Sequence, residues 1–183
     1  MKKGILFAAI FCAVTLACFA EDAKQAFSWK TFDDKARNGT SEITMTESTE
    51  TANGKDFAAK AFAGKVTTKY QYGFVGAIAI PDAATLEVAK GATGITLKVA
   101  GDGKKYRVRV ETSDIGDSCY YGKEFTATKA ATDLTIPYKS MVQESWGAKK
   151  AFKAANITQV SFQTVGQPIS SFAFKVIDLA FYK

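Results

Sequence analysis

The sequence predicts an all-β fold, an antiparallel sandwich or barrel, on three observations. After Ala20 the apolar residues recur with period two nearly throughout. Gly, Asn, Asp or Pro punctuates the runs, at Asn38-Gly39, Asn53-Gly54, Pro81-Asp82, Gly116-Asp117 and Gly166-Gln167-Pro168. Helical periodicity is scarce. Many short strands with such spacing bury one face each against a second layer, which is how antiparallel sandwiches are built.

Taken in order, the first element is not part of the fold. Lys2 and Lys3 form a positive region, Ile5 to Ala17 is an almost unbroken apolar run, and "ACFA" precedes the polar "EDAKQ". This is the layout of a secretory signal over residues 1–20, too short to span a bilayer comfortably. It predicts an exported chain, periplasmic or extracellular, beginning near Glu21. The alternative is a lipoprotein signal in which "TLAC" places a lipidated Cys18 at the mature N-terminus, with Thr15 where such signals usually carry Leu.

Removing 20 of the 183 residues leaves 163, enough for one domain with a substantial core. No linker, repeat or low-complexity tract divides residues 21–183, and no later segment approaches the apolar length of a membrane span.

Strand-like runs follow at "FSWKTF", "EITMTE", "DFAAKAFAG", "KVTTKY" and "YGFVGAIAI", then "CYYGKEFTA", "DLTIPY", "ITQVSFQTV" and "SSFAFKVIDLAFY". Between them, Asp82 to Lys90 reads as a short helix capped by Asp82 and stopped by Gly91. The segment "YKSMVQESWGAKKAFKAAN" is the least regular and reads as a long connection with a short helix. The most regular stretch is "GITLKVAGDGKKYRVRVET". Ile95, Leu97 and Val99 share a face, as do Tyr106, Val108 and Val110. With Asp102-Gly103 as a two-residue turn, these sets pair without a slip, so the stretch is predicted to be a hairpin. Its other face, with Lys98 across from Arg107 and with Arg109 and Glu111 beyond, then looks at solvent or a ligand.

Composition narrows the chemistry. The net charge of +6 falls to +4 without Lys2 and Lys3, and the lysines are scattered among acids, so nucleic-acid binding is not expected. There is no histidine, which removes Ser-His-Asp and Cys-His catalysis and His-ligated zinc. Of three cysteines only Cys119 lies beyond Cys12 and Cys18, so the mature chain has no disulfide framework, and Cys119 reads as a small buried hydrophobe. No phosphate-cradling glycine motif is present. A glycoside-active enzyme would need two carboxylates at a set separation, for which Glu111 with Glu124 is a candidate.

The runs "FAGKVTTKYQYGFVGAIAIP", "GITLKVAGDGKKYRVRVET", "IPYKSM" and "ITQVSF", in that order, resemble the bacterial branch of the complex I intermediate-associated protein 30 family. The likeness covers essentially the whole mature chain, and "GDGKKYRV" is its most specific element. It implies a galactose-binding-type jelly roll, similar in shape to family 11 carbohydrate-binding modules. The family's Asn/Asp and Val-Met-Gly-Gly-x-Ser run corresponds here to "DDKARNGTSE", which keeps Asp34, Gly39 and Ser41 without the Val-Met pair. Mitochondrial members assist assembly of a respiratory complex inside an organelle, a setting that an exported chain does not share.

A jelly roll binds through a sheet face or its rim loops, and a sugar offers apolar ring faces and a belt of hydroxyls. The residues out of phase with the core are therefore the candidate ligand set: Tyr72, Arg107, Arg109, Glu111, Tyr120, Trp146 and Gln163. The expected function is a non-catalytic module binding an oligo- or polysaccharide. The alternatives are an envelope structural or assembly protein docking a protein partner through its sheet face, and a weak glycoside-active enzyme. No cofactor is required. A structural calcium ion held by Asp33, Asp34 and Asp178 is a further expectation, since such modules tie the N-terminal segment to the last strand through a cation.

Overall fold

In the computed structural model, which describes residues 25–52, 54–116 and 118–183, the described residues form eleven strands and one α-helix. Residues 1–24, among them the expected signal segment 1–20 with Cys18, and also Asn53 and Asp117, lie outside the described residues. The elements are β1 (Phe27–Asp33), β2 (Glu42–Ala52), β3 (Lys55–Val66), β4 (Val75–Pro81), α1 (Ala83–Lys90), β5 (Gly94–Gly101) and β6 (Lys105–Thr112). They continue with β7 (Tyr121–Thr126), β8 (Thr132–Pro137), β9 (Val142–Gln143), β10 (Ile157–Thr164) and β11 (Ile169–Tyr182).

These strands form two antiparallel sheets. The first has the order β1-β4-β10-β6-β7-β9 and the second β2-β3-β11-β5-β8. The expected jelly-roll sandwich is the fold observed. Its core is aromatic and sits between β10 and β6 of one sheet and β11, β3 and β5 of the other. The Phe62 and Phe174 rings stack at 5.0 Å, Tyr106 meets Phe174 at 4.3 Å, and Trp29 lies on Phe162 at 5.8 Å. Each such side chain removes a large apolar area from water, and the ring contacts add to that.

The "GDGK" stretch is not a hairpin, and this is the main correction to the sequence reading. β5 pairs with β11 and β8 in the second sheet, whereas β6 pairs with β10 and β7 in the first. Asp102-Gly103 is the corner at which the chain crosses the sandwich. Its amides reach outward rather than across a turn: Gly101 N–H donates to the Thr128 carbonyl, Asp102 N–H to Ala173 and Gly103 N–H to Ala127. The inward faces are those that the alternation predicts: Ile95, Leu97, Val99, Tyr106, Val108 and Val110 are all buried. Two strands facing one core from opposite sheets show the same alternation as two strands paired side by side, so alternation alone does not separate the cases. Lys98 accordingly lies across the molecule from Arg107 and pairs with Asp133 at 2.6 Å.

β2 and β3 are neighbours in sequence that do pair antiparallel, with Ala52 opposite Lys55 and Gly54 at φ 72°. Helix α1 forms as expected, its Asp82 carboxylate accepting from Thr85 N–H at 2.8 Å and Gly91 standing at its C-terminus. Residues 138–156 hold no α-helix. They form two 3-10 turns, the short β9 and a loop spanned by the Gln143 side chain, which donates to the Ala148 carbonyl and accepts from Lys150 N–H. Segment "KVTTKY" likewise splits, β3 ending at Val66.

Candidate ligand-binding cleft on the first sheet

The outer face of the first sheet carries two rows of side chains set by strand register. Across the first row run Phe32, Gly76, Gln163, Arg107 and Glu124. The second runs Lys30, Ile78, Ser161, Arg109 and Gly122. Gly122 makes room for the arginine stems: a Cβ there would stand 3.0 Å from Arg107 Cδ and 3.2 Å from Arg109 Cγ.

Loops wall this face into a cleft of about 740 Å³. One wall is the 70–74 segment, with Tyr70, Tyr72 and Phe74, and the other is built from Ser118, Tyr120 and Trp146. Tyr70 makes edge contacts with both Tyr72 and Phe74, at 6.1 and 6.3 Å. Arg37 donates to the Tyr70 hydroxyl at 3.2 Å and lies over its ring. Opposite, the Trp146 loop is tied down at Cys119, whose thiol donates to the Glu144 and Trp146 carbonyls, and Glu144 N–H donates to the Tyr120 carbonyl. Cys119 is buried as expected, and it anchors this wall.

The three residues kept from the family motif position the loop that carries Arg37. The fully buried Asp34 carboxylate accepts from Ser41 N–H at 3.0 Å and from Ser41 Oγ at 2.7 Å. Ser41 Oγ in turn accepts from Thr67 N–H at 3.0 Å, which ties this turn to the segment leading into Tyr70. Gly39 is required by close approach, since a Cβ there would fall 2.1 Å from Asp34 Cγ. The turn reverses through Asn38 in the left-handed region, at φ 61°.

The two arginines of β6 have different surroundings. Arg107 donates through Nη1 to Glu144 at 2.5 Å and through Nη2 to Glu124 at 2.8 Å. Burial works to lower its proton affinity, but these carboxylates prevail and raise it above that of an ordinary arginine. Arg109 is 7% exposed; its Nε donates to Ser161 at 3.3 Å and its guanidinium lies over Tyr120 at 5.4 Å. Burial pulls it below the ordinary arginine value, against the opposing pull of Glu111 and Glu144. Glu111, 6% exposed, accepts from Gln159 at 2.5 Å and stands 3.9 Å from Arg109. Of the two settings the sequence left open for this face, solvent or a ligand, neither Arg109 nor Glu111 has the first. Both are sunk into the floor beneath the walls.

Of the candidate ligand residues, Tyr72, Arg109, Glu111, Tyr120, Trp146 and Gln163 line this one cleft, and Arg107 does not. Tyr72 and Tyr120 lie just ahead of β4 and β7 rather than within them. Phe32, Arg37, Tyr70, Phe74, Ile78 and Gln167 also line it and were not singled out. Phe32 shares its phase with Ser28 and Lys30, a signal that could have found it, whereas Ile78 reads as core in the apolar run of β4. Arg37, Tyr70 and Gln167 come from loops, whose meeting only the fold decides.

The calcium set is not brought together. Asp33 bonds Lys35 N–H, Asp34 is occupied by Ser41, and Asp178 is exposed on β11, where it caps Leu179 N–H. Among the described residues no group of three or more acidic or cysteine side chains is arranged to hold a metal ion. Glu111 and Glu124 do not form a hydrolytic pair either. Glu124 is opposite Arg107, so four residues of β6 separate the two, ~13 Å at ~3.3 Å per residue, against the ~5–9.5 Å that glycoside hydrolysis uses.

A family model described as complex I intermediate-associated protein 30 matches residues 18–176. The chain belongs to that family. No curated protein sequence matches it. Among solved structures, it resembles the family 11 carbohydrate-binding module of the Clostridium thermocellum cellulosomal cellulase Lic26A-Cel5E, at TM-score 0.55 and 11% identity, over 81% of this chain and 86% of that one. The Clostridium thermocellum module in complex with a β-1,3-1,4-mixed-linked tetrasaccharide aligns with the same score and identity, over 87% and 98%. A family 30 carbohydrate-binding module aligns at TM-score 0.54 and 14% identity, over 86% and 94%. These likenesses establish the sandwich as one that carbohydrate-binding modules use. Among the described residues no helix is long and apolar enough to cross a membrane.

Proposed function

We propose that this protein is an exported, non-catalytic module that binds an oligo- or polysaccharide in the cleft of the first sheet. One observation carries the reading. Among the described residues the large hydrophobic side chains left exposed are Tyr72, Val142 and Trp146, and two of these, at 64% and 50% exposure, line the same polar-floored cleft. Exposed aromatic surface around a concave polar floor marks a ligand site, and it matches the apolar face and hydroxyl belt of a sugar. Gln163 and Arg109 supply donors in that floor, while Glu111 supplies an acceptor. The solved module that carries a mixed-linked tetrasaccharide has the same sandwich, which supports this reading at the level of fold.

The outer face of the second sheet fits a sugar less well. Among the described residues its groove has polar groups in Glu50, Asp102, Lys129 and Lys175, but the rings that line it, Phe62 and Phe174, belong to the core and leave no exposed aromatic wall. A glycan panel probed with the mature protein tests the proposal. Binding that is weakened by Tyr72→Ala and by Trp146→Ala supports it. An envelope protein that co-purifies while every glycan fails to bind would favour the docking role instead.

A further inference from the structure

Arg107 and Arg109 lie two residues apart on one face of β6, yet only one of them is satisfied. Both terminal nitrogens of Arg107 meet carboxylates at hydrogen-bonding distance. Arg109 keeps only the Nε bond to Ser161 and the stacking on Tyr120. Its neighbouring carboxylate, Glu111, stands 3.9 Å from Nη2 and accepts a short bond from Gln159 instead. Among the described residues, neither Nη nitrogen of Arg109 has a protein hydrogen-bond partner. The side chain is nonetheless only 9% exposed, and it lines the cleft.

A guanidinium does not shed its charge, so burying one with its fork open is costly unless an anion closes the fork. A carboxylate has the matching planar, two-oxygen geometry. The charge balance points the same way. Among the described residues the cleft lining holds two cations, Arg37 and Arg109, and one carboxylate, Glu111, an excess of one positive charge, which a single monoanionic group neutralises. We infer that the cleft selects an acidic saccharide, a pyranose bearing one carboxylate, with that carboxylate on the Arg109 fork and the sugar ring against the aromatic walls. The inference rests on the carbohydrate reading above and narrows it to a substrate class.

Calorimetric titration of the wild-type protein tests it, with tetragalacturonate, tetramannuronate, fully methyl-esterified tetragalacturonate and a neutral β-1,3-1,4-linked glucan tetrasaccharide as probes. One of the two free acids is expected to bind at least ~10-fold more tightly than the ester and the neutral glucan. The stronger acid identifies the sugar source. Arg109→Gln should abolish the preference and Arg109→Lys should retain part of it, because lysine keeps the charge without the fork. Ester or neutral glucan binding as tightly as the acids would overturn the inference while leaving the carbohydrate reading standing. Failure of all four probes would overturn the inference, and the glycan panel above then decides the carbohydrate reading. The acid-against-ester comparison needs no variant, so the decision holds even where Arg109→Gln does not fold.

Discussion

Replacing Asp102 by Ala tests the crossover corner. Its carboxylate accepts from Lys104 N–H at 3.0 Å, from the Tyr106 hydroxyl at 3.0 Å, from Ala173 N–H at 3.1 Å and from Lys104 Nζ at 2.7 Å. Asp102 thus ties the first residues of β6 to β11 in the opposite sheet. The exposed Lys104 pair contributes little. Tyr106 matters more, since it is 1% exposed and truncation would leave its hydroxyl without this acceptor. Losing that bond and the Ala173 bond should cost ~2–3 kcal/mol together. For a domain of this size each kcal/mol moves the melting temperature by ~2–4 °C, so Asp102→Ala should melt ~4–12 °C lower.

Tyr106→Phe alone should cost ~1 kcal/mol, and the double variant should cost less than the sum, since both changes remove one shared bond. The pH dependence has a definite sign. Burial alone would raise the Asp102 pKa, but the hydrogen bonds from Lys104, Ala173 and Tyr106 prevail and hold it below that of an ordinary aspartate. Its stabilisation is therefore full above the unfolded-state value near ~3.9 and is lost as pH falls through the lower folded value. Wild type should lose stability more steeply than Asp102→Asn in that acid range. Thermal melts by circular dichroism decide the matter. In a simple solvated hairpin turn, Asp102→Ala would cost ~0.5 kcal/mol or less. A melting temperature within ~1 °C of wild type would refute the crossover role.

The remaining predictions concern the walls and the ion. Gly39→Ala drives a methyl into the buried Asp34 carboxylate, 2.1 Å from Cγ; a loss of ~1–3 kcal/mol is expected in urea unfolding, and an unchanged midpoint would contradict the packing. Tyr72→Ala, at a side chain 64% exposed, should leave stability within ~0.5 kcal/mol while weakening glycan binding ~10-fold, or ~1.4 kcal/mol; equal affinity by calorimetry would move the site off this wall. Added calcium or chelator should leave the melting temperature unchanged, because Asp34 is occupied by Ser41 and Asp178 lies apart on β11. A clear rise with calcium would restore a cation site.

The architecture was legible because burial writes itself into period-two alternation, and the inward faces of β5, β6 and β10 are the alternating residues themselves. Pairing was less legible. Asp102-Gly103 and Asn53-Gly54 look alike as turn dipeptides, yet β5 and β6 lie in different sheets whereas β2 and β3 pair side by side. What separates them is the partner each backbone finds, such as Ala173, which lies 71 residues from Asp102. The site divides in the same way. Arg109, Glu111 and Gln163 could be read from phase, and Tyr72, Tyr120 and Trp146 from their aromatic character. Arg37 and Gln167 reach the cleft through loop contacts that carry no local pattern. The burial of Arg109 was equally hidden, because it comes from walls that the strand's own sequence does not encode.

The carbohydrate reading is tested most directly by tryptophan fluorescence, since the protein has two tryptophans in different settings. Trp29 packs in the core against Phe62 and Phe162, whereas Trp146 is 50% exposed at the cleft. Titration with the tightest glycan of the panel should shift the emission to the blue and saturate, as Trp146 is covered. The same titration of Trp146→Phe should show no shift, leaving only the constant emission of Trp29. Saturable glycan binding by calorimetry with unchanged Trp146 emission would contradict the account, because it would place the sugar away from this cleft.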